Sequence, residues 1–153
     1  MELLMACDLA VASETTRFGE PEVRFGSGIV AMLAPYVIGP KQAKELLLTG
    51  NDKVSAQRCY EMGIVNRVVE DGTEFEIAME LASQIAGAAP RSVQMTKSAI
   101  HRAYELAEMR TALREALETD IKIEADESPE RVEFNRIRKE QGLKAALAWR
   151  DEL

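Results

Sequence analysis

The apolar positions of the chain fall into two regimes. Up to about residue 72 they come in short clusters broken by glycine, proline and acidic residues, and from residue 73 on they recur at helical spacing. In the first regime "DLAVAS" (8–13) alternates small apolar residues and predicts a buried strand. "RFGEPE" (17–22) predicts a further extended piece, because Pro21 disfavours helix at Glu20 before it. "GSGIVAMLAPYVIG" opens on glycines and becomes an apolar run, which predicts a helix over 29–36 that bends or ends early at Pro35. "PKQAKELLLTG" predicts a helix with Pro40 in its first turn and Gly50 as its stop. "SAQRCYEMG" predicts another, capped by Ser55 and ended by Gly63, and "IVNRVV" (64–69) a short strand. In the second regime helices are predicted over 73–87, 91–107, 109–126, 129–140 and 143–151, with Ser128-Pro129 as an N-cap and first-turn pair.

This is an α/β pattern with too few strands for a sheet that stands alone. It divides into a mixed part, 1–72, and a helical part, 73–153. "MELLMAC" is apolar from its third residue with no cap before it, so the pattern predicts a domain that begins upstream of Met1.

With 153 residues, 46% hydrophobic and 29% charged, the composition is that of a globular domain with a real core. The net charge of -7 argues against nucleic acid or an anionic membrane surface as partner, and leaves room for a small anionic ligand held by local cations. No apolar run is long enough to cross a bilayer. Cys7 and Cys59 lie far apart and in no metal spacing, which fits reduced, core-type cysteines in a cytoplasmic protein. With His101 as the single histidine, neither a histidine-based metal site nor a Ser-His-Asp triad is expected.

Candidate chemistry concentrates at Glu20 and Glu22. On a strand, residues two apart face the same side, so the pair could share a polar face unless Pro21 breaks the geometry. Read from the residues alone, solvated acids are the commoner outcome. A functional role needs a second acid and a stabiliser for negative charge, and spacing supplies neither. Met5, Met32, Met62 and Met95 sit in apolar patterns and are expected in the core. His101 is expected on a helix face, and Glu130, Glu133, Arg136 and Lys139 in pairs on an exposed one.

Three stretches together carry a resemblance: "ELLMACDLAVASETTRFGEPEVRFG", "IGPKQAKELLLTG" and "SAQRCYEMGIVNRVV". In that order and spacing they resemble the enoyl-CoA hydratase/isomerase (crotonase) family, with matches at Glu2-Leu3, Cys7-Asp8, Phe18 to Glu22 and Met62 to Asn66. "APRSVQMTKSAI" resembles a family helix that often carries a lysine such as Lys97. The likeness implies roughly the C-terminal half of a subunit: a partial crotonase-like (ClpP/crotonase) spiral fold, a few short strands followed by helices that contribute to a homo-oligomer, trimer or hexamer.

The resemblance also implies a reaction, the addition of water to a 2-enoyl-CoA with stabilisation of the enolate. Glu22 matches the acid that protonates the α-carbon, or the base in an isomerase, and Glu2 the group that orients and deprotonates water. Glu20 falls at a variable family position and is expected at the surface or the substrate mouth. The partner is an acyl-CoA thioester; no cofactor is implied beyond the coenzyme A of the substrate, and no metal.

Two backbone N–H donors stabilise the thioester oxygen in the family, and the resemblance places both before Met1. A loop N–H that holds the catalytic water corresponds to Gly28, Ile29 or Val30, and Lys97 and Arg91 are candidates for the CoA phosphates. Two departures stand out. "GSGIVAMLAPYVIG" replaces the family's glycine-rich run and is shorter, and Trp149 stands where many members have a lysine. The alternative reading is a silent fragment or association module of the same fold, or an isomerase or hydrolase of the family.

Overall fold

The computed structural model describes residues 1–29 and 31–152; Val30, one of the expected substrate contacts, lies outside them. Helix α1 (Glu2–Ala6) is followed by two short strands, β1 (Val11–Ser13) and β2 (Arg17–Phe18), and by a single 3-10 turn over Glu22–Phe25. Then come α2 (Ala34–Val37), α3 (Pro40–Thr49), β3 (Val54–Ser55), α4 (Ala56–Met62) and β4 (Arg67–Val69). The rest is helical: α5 (Glu74–Ala86), α6 (Pro90–Leu106), α7 (Met109–Ala125), α8 (Pro129–Gln141) and α9 (Leu143–Asp151).

Most helix boundaries follow from local chemistry that the sequence displays. Ser55 Oγ accepts from the Arg58 N–H at 3.1 Å, and Ser128 Oγ from that of Arg131 at 3.2 Å, each satisfying a first-turn donor. Helix α3 starts on Pro40 and ends at Gly50, whose φ of 61° is open to glycine at little cost. The break between α6 and α7 is Glu108, a non-glycine residue at φ 57°.

Three extended or helical expectations are corrected. The helix over 29–36 is a single turn, Ala34–Val37, because Pro35 suits a first turn and not an interior. Ile29 therefore lies in a loop. The strand over 8–13 shortens to Val11–Ser13. The extended piece over 17–22 stops at Phe18, and Glu22 opens the 3-10 turn, so Glu20 and Glu22 do not share a strand face. Two burial expectations also change: Cys7 is exposed while Cys59 is buried, and Met95 is exposed on α6.

The strands form two pairs. Parallel β1 and β4 match Val11 with Arg67 and Ser13 with Val69, and antiparallel β2 and β3 match Arg17 with Ser55 and Phe18 with Val54. Around them sits the main core, with Met5, Leu33, Leu46, Val54, Cys59 and Val65 buried together. A second cluster of Phe134, Ile137 and Ala146 packs on Phe25, whose ring centroid lies 5.1 Å from that of Phe134. The α8–α9 hairpin thus folds back onto the 3-10 turn. Arg24 in that turn pairs with Asp52 at 3.6 Å and with Asp151 of α9. Helices α5 and α6 contribute no buried residue among those described, and Phe75 and Met95 project from them at 78% and 62% exposure.

The closest backbone approach is at Gly19. A Cβ there would sit 2.2 Å from Asp52 Cα and 2.9 Å from the Asn51 carbonyl oxygen. Gly19→Ala is expected to destabilise the fold by about 2–3 kcal/mol in urea denaturation, against about 1 kcal/mol for loss of the Ser55 cap in Ser55→Ala.

Candidate active site

Three glutamates from three short segments converge. Glu2 is the first residue of α1, and its Oε1 accepts the Ala31 backbone N–H at 2.7 Å. Glu22 opens the 3-10 turn, and its Oε2 is buried without a hydrogen-bond partner among the described residues. Glu20 lies between β2 and that turn and is only 2% exposed. The surface position expected for Glu20 is therefore overturned.

The cause is local. Gly19 presses on the Asn51–Asp52 loop, and the Glu20 N–H donates to the Asn51 carbonyl at 3.3 Å. With the backbone held there, the Glu20 side chain turns inward. Its Oε1 has no hydrogen-bond partner among the described residues and stands 3.6 Å from the Met1 amine. Burial pushes the Glu20 carboxyl up to about 7; repulsion from Glu22 and Glu2 adds to the rise, and the Met1 charge opposes it.

The loop after the 3-10 turn holds the other expected contacts. Gly26 closes the turn at φ 70°, its N–H directed at the Glu22 and Val23 carbonyls. Gly28 packs against α7, where a Cβ would meet Asp120 Oδ1 at 2.5 Å and Asp120 Cα at 3.2 Å. Ile29 is buried in the main core, so its side chain is occupied with packing. Ala31, which supplies the N–H to Glu2, is a position that side-chain motifs could not reveal, since any residue type carries that donor. Asp120 was likewise not singled out from sequence; it is buried on α7, with Oδ1 unpartnered among the described residues.

Lys97 stands apart from these carboxylates in its bonding. It ion-pairs with Asp8, and His101 Nε2 lies 3.7 Å from the same carboxylate. The hydrogen bond from Lys97 holds the Asp8 carboxyl below its usual range, with the charges of Lys97 and His101 contributing. On α8, Arg136 bridges Glu133 and Glu140 at 2.6 Å each, an exposed helical arrangement of the kind the spacing predicts. Among the described residues no helix is long and apolar enough to cross a membrane, and no three His, Cys, Asp or Glu side chains are arranged to hold a metal ion.

The Glu20 environment gives a signed prediction. A buried carboxyl that is raised from 4.5 to about 7 binds more protons folded than unfolded across that window. Stability from this group is full below about pH 4.5 and is lost as pH rises to about 7. Glu20→Gln removes the dependence, so its stability relative to the parent chain is expected to rise between pH 5 and pH 8, by up to about 3 kcal/mol. Urea unfolding midpoints of both chains across that range read this directly.

Residues 1–134 match the family model for enoyl-CoA hydratase/isomerase. A putative enoyl-CoA hydratase of Thermus thermophilus is 40% identical over 97 residues, which are 62% of this chain and 38% of that protein. A short-chain-enoyl-CoA hydratase of Clostridium acetobutylicum is 36% identical over 106 residues, 66% of this chain and 40% of that protein. The crystal structure of an enoyl-CoA hydratase/isomerase from Xanthobacter autotrophicus Py2 superposes with a TM-score of 0.93 at 46% identity, covering 98% of this chain and 56% of that one. The chain thus spans about two fifths of the length of such curated relatives. With a family match over most of its length and a fold shared nearly end to end with a solved member, the chain belongs to the enoyl-CoA hydratase/isomerase family and carries part of the crotonase fold.

Proposed function

We propose that this chain supplies the carboxylate part of a site that adds water across the double bond of a 2-enoyl-CoA thioester. Glu22 protonates the α-carbon, and Glu2 orients and deprotonates the water. The observation that supports this reading is that Glu2, held by the Ala31 N–H, and Glu22, with a buried and unpartnered Oε2, both lie near enough to Glu20 for their charges to raise its carboxyl. Water is a weak nucleophile, and the α-carbon needs a proton source held at hydrogen-bond range, so two positioned acids meet the chemical requirement.

The thioester oxygen needs preorganised donors as well, and the resemblance assigns these to positions ahead of Glu2. The partner is an acyl-CoA thioester, with no cofactor beyond its own coenzyme A. Main-chain groups of the Gly28–Ile29 loop, rather than the buried Ile29 side chain, are the contacts assigned to substrate. Lys97 reaches a CoA phosphate only by leaving Asp8, so its contribution to affinity is reduced by the energy of that pair.

A second reading is favoured by α5 and α6, whose exposed Phe75 and Met95 face no partner among the described residues. In this reading residues 73–153 serve association between subunits, and the chain is catalytically silent.

Hydration of crotonyl-CoA, followed by loss of the enoyl thioester absorbance, separates the two. The hydratase reading expects turnover that falls 10²- to 10⁴-fold, roughly the usual worth of a general acid or base, in Glu22→Gln and in Glu2→Gln. A Glu22→Gln variant as active as its parent rejects that reading, and a folded chain with no turnover favours the association role.

A further inference from the structure

The turn that carries Glu22 is anchored by side chains that the reaction just described does not use. Glu22 opens it with Oε2 buried, and Arg24 and Phe25, two and three residues on, reach other elements. Phe25 packs on Phe134 of α8. The Arg24 stem lies across Gly50, where a Cβ would meet its Cγ at 2.6 Å and its Cδ at 2.9 Å. The guanidinium then ends between two acids. Nη1 stands 3.6 Å from Asp52 in the loop before β3, and Nη2 pairs with Asp151, the last residue of α9. A guanidinium can serve both because its donors are fixed in a planar fork. Gly19 presses on Asp52 as well, so Glu22 lies between two anchors that share one loop.

Asp151 stands where its charge does not help its own helix. The C-terminal end of α9 carries the negative end of the helix dipole, which disfavours a carboxylate. The pair with Arg24 also adds little to global stability, since the Asp52 and Asp151 side chains keep 41% and 54% exposure. What the pair does is local. We propose that Asp151 is a positioning residue: by holding Arg24 from α9 it fixes the 3-10 turn, and with it the direction in which Glu22 is presented. The α8–α9 hairpin then acts on the site without lining it, through Asp151 on Arg24 and Phe134 on Phe25. This rests on the hydratase reading for its catalytic meaning, and on the ion pairs and packing alone for the anchoring of the turn.

The test is amide hydrogen exchange of the full chain, read by NMR, in Asp151→Asn and in Glu140→Gln. The Ser27 N–H reports on the turn, because it donates to the Glu22 carbonyl at 3.0 Å. The Arg58 N–H, bonded to Ser55 Oγ, reports on a helix cap outside the turn. In Asp151→Asn the Ser27 amide is expected to exchange about 2- to 5-fold faster, the reach of an exposed ion pair, with the Arg58 amide unchanged. Glu140→Gln breaks an exposed pair with Arg136 on α8 and is expected to leave both amides unchanged. Unaltered Ser27 exchange in Asp151→Asn, an equal rise at Arg58, or the same rise in Glu140→Gln overturns the proposal. If crotonyl-CoA is hydrated, kcat in Asp151→Asn is expected to fall by a similar factor at unchanged KM, since substrate contacts remain and only the aligned fraction drops. An unchanged kcat, or a change in KM alone, overturns the positioning role. A chain that shows the local change in exchange but hydrates nothing counts against the hydratase reading alone and leaves the anchoring of the turn supported.

Discussion

The close approach of Gly19 to the Asn51–Asp52 loop is the constraint on which the site depends. It lies directly after β2 and just before β3, so it sets the depth at which those strands pair. It fixes the backbone of Glu20 through the Asn51 carbonyl and delivers the chain into the 3-10 turn that begins with Glu22. A side chain larger than hydrogen at Gly19 would separate the two segments and release both glutamates from their places. Burying a carboxyl this way costs stability, since no cationic side chain meets it. Local choices that oppose stability in an otherwise consistent fold concentrate at functional sites.

The Glu2–Ala31 hydrogen bond extends the same logic to the other acid. Helix α1 is only five residues long and has no side-chain cap, so little within it holds Glu2 in one direction. The orientation comes from a loop 29 residues away. That loop is in turn seated on α7 through Gly28 and on the main core through Ile29. The position of a carboxylate at the start of the chain is therefore tied to a helix more than a hundred residues later.

The helices were legible because their signals are local. Ser55, Ser128, Pro40, Gly50 and Gly63 mark their ends by chemistry that acts within one turn. The ordered motifs pointed to Glu2 and Glu22, and both carry charges that reach Glu20. The burial of Glu20 was not legible. It follows from contact between segments thirty residues apart, and periodicity carries no information about a loop. The nearest sign was Gly19 itself, a residue whose missing side chain hints at close approach without saying to what. The stretch around Ile29 misled for a related reason: Ile29 and Leu33 serve tertiary packing, and apolar spacing alone cannot separate a buried loop from a helix.

The same residue types respond to opposite environments within one chain. Asp8, exposed beside Lys97 and His101, is held below its usual range, while Glu20, enclosed with two other acids, is driven up to about 7. Acid–base chemistry at neutral pH is served by such separation, because environments that push proton affinities apart let one acid hold a proton while another stays charged. At Glu20 the Met1 amine stands 3.6 Å away and opposes the rise, and burial outweighs it. Burial is the larger influence on Glu20, and the charges of Glu22 and Glu2 act in the same direction. An exchange of Glu20 for an apolar residue of similar size would remove the cost of that burial, and with it the pH dependence that Glu20 gives to stability.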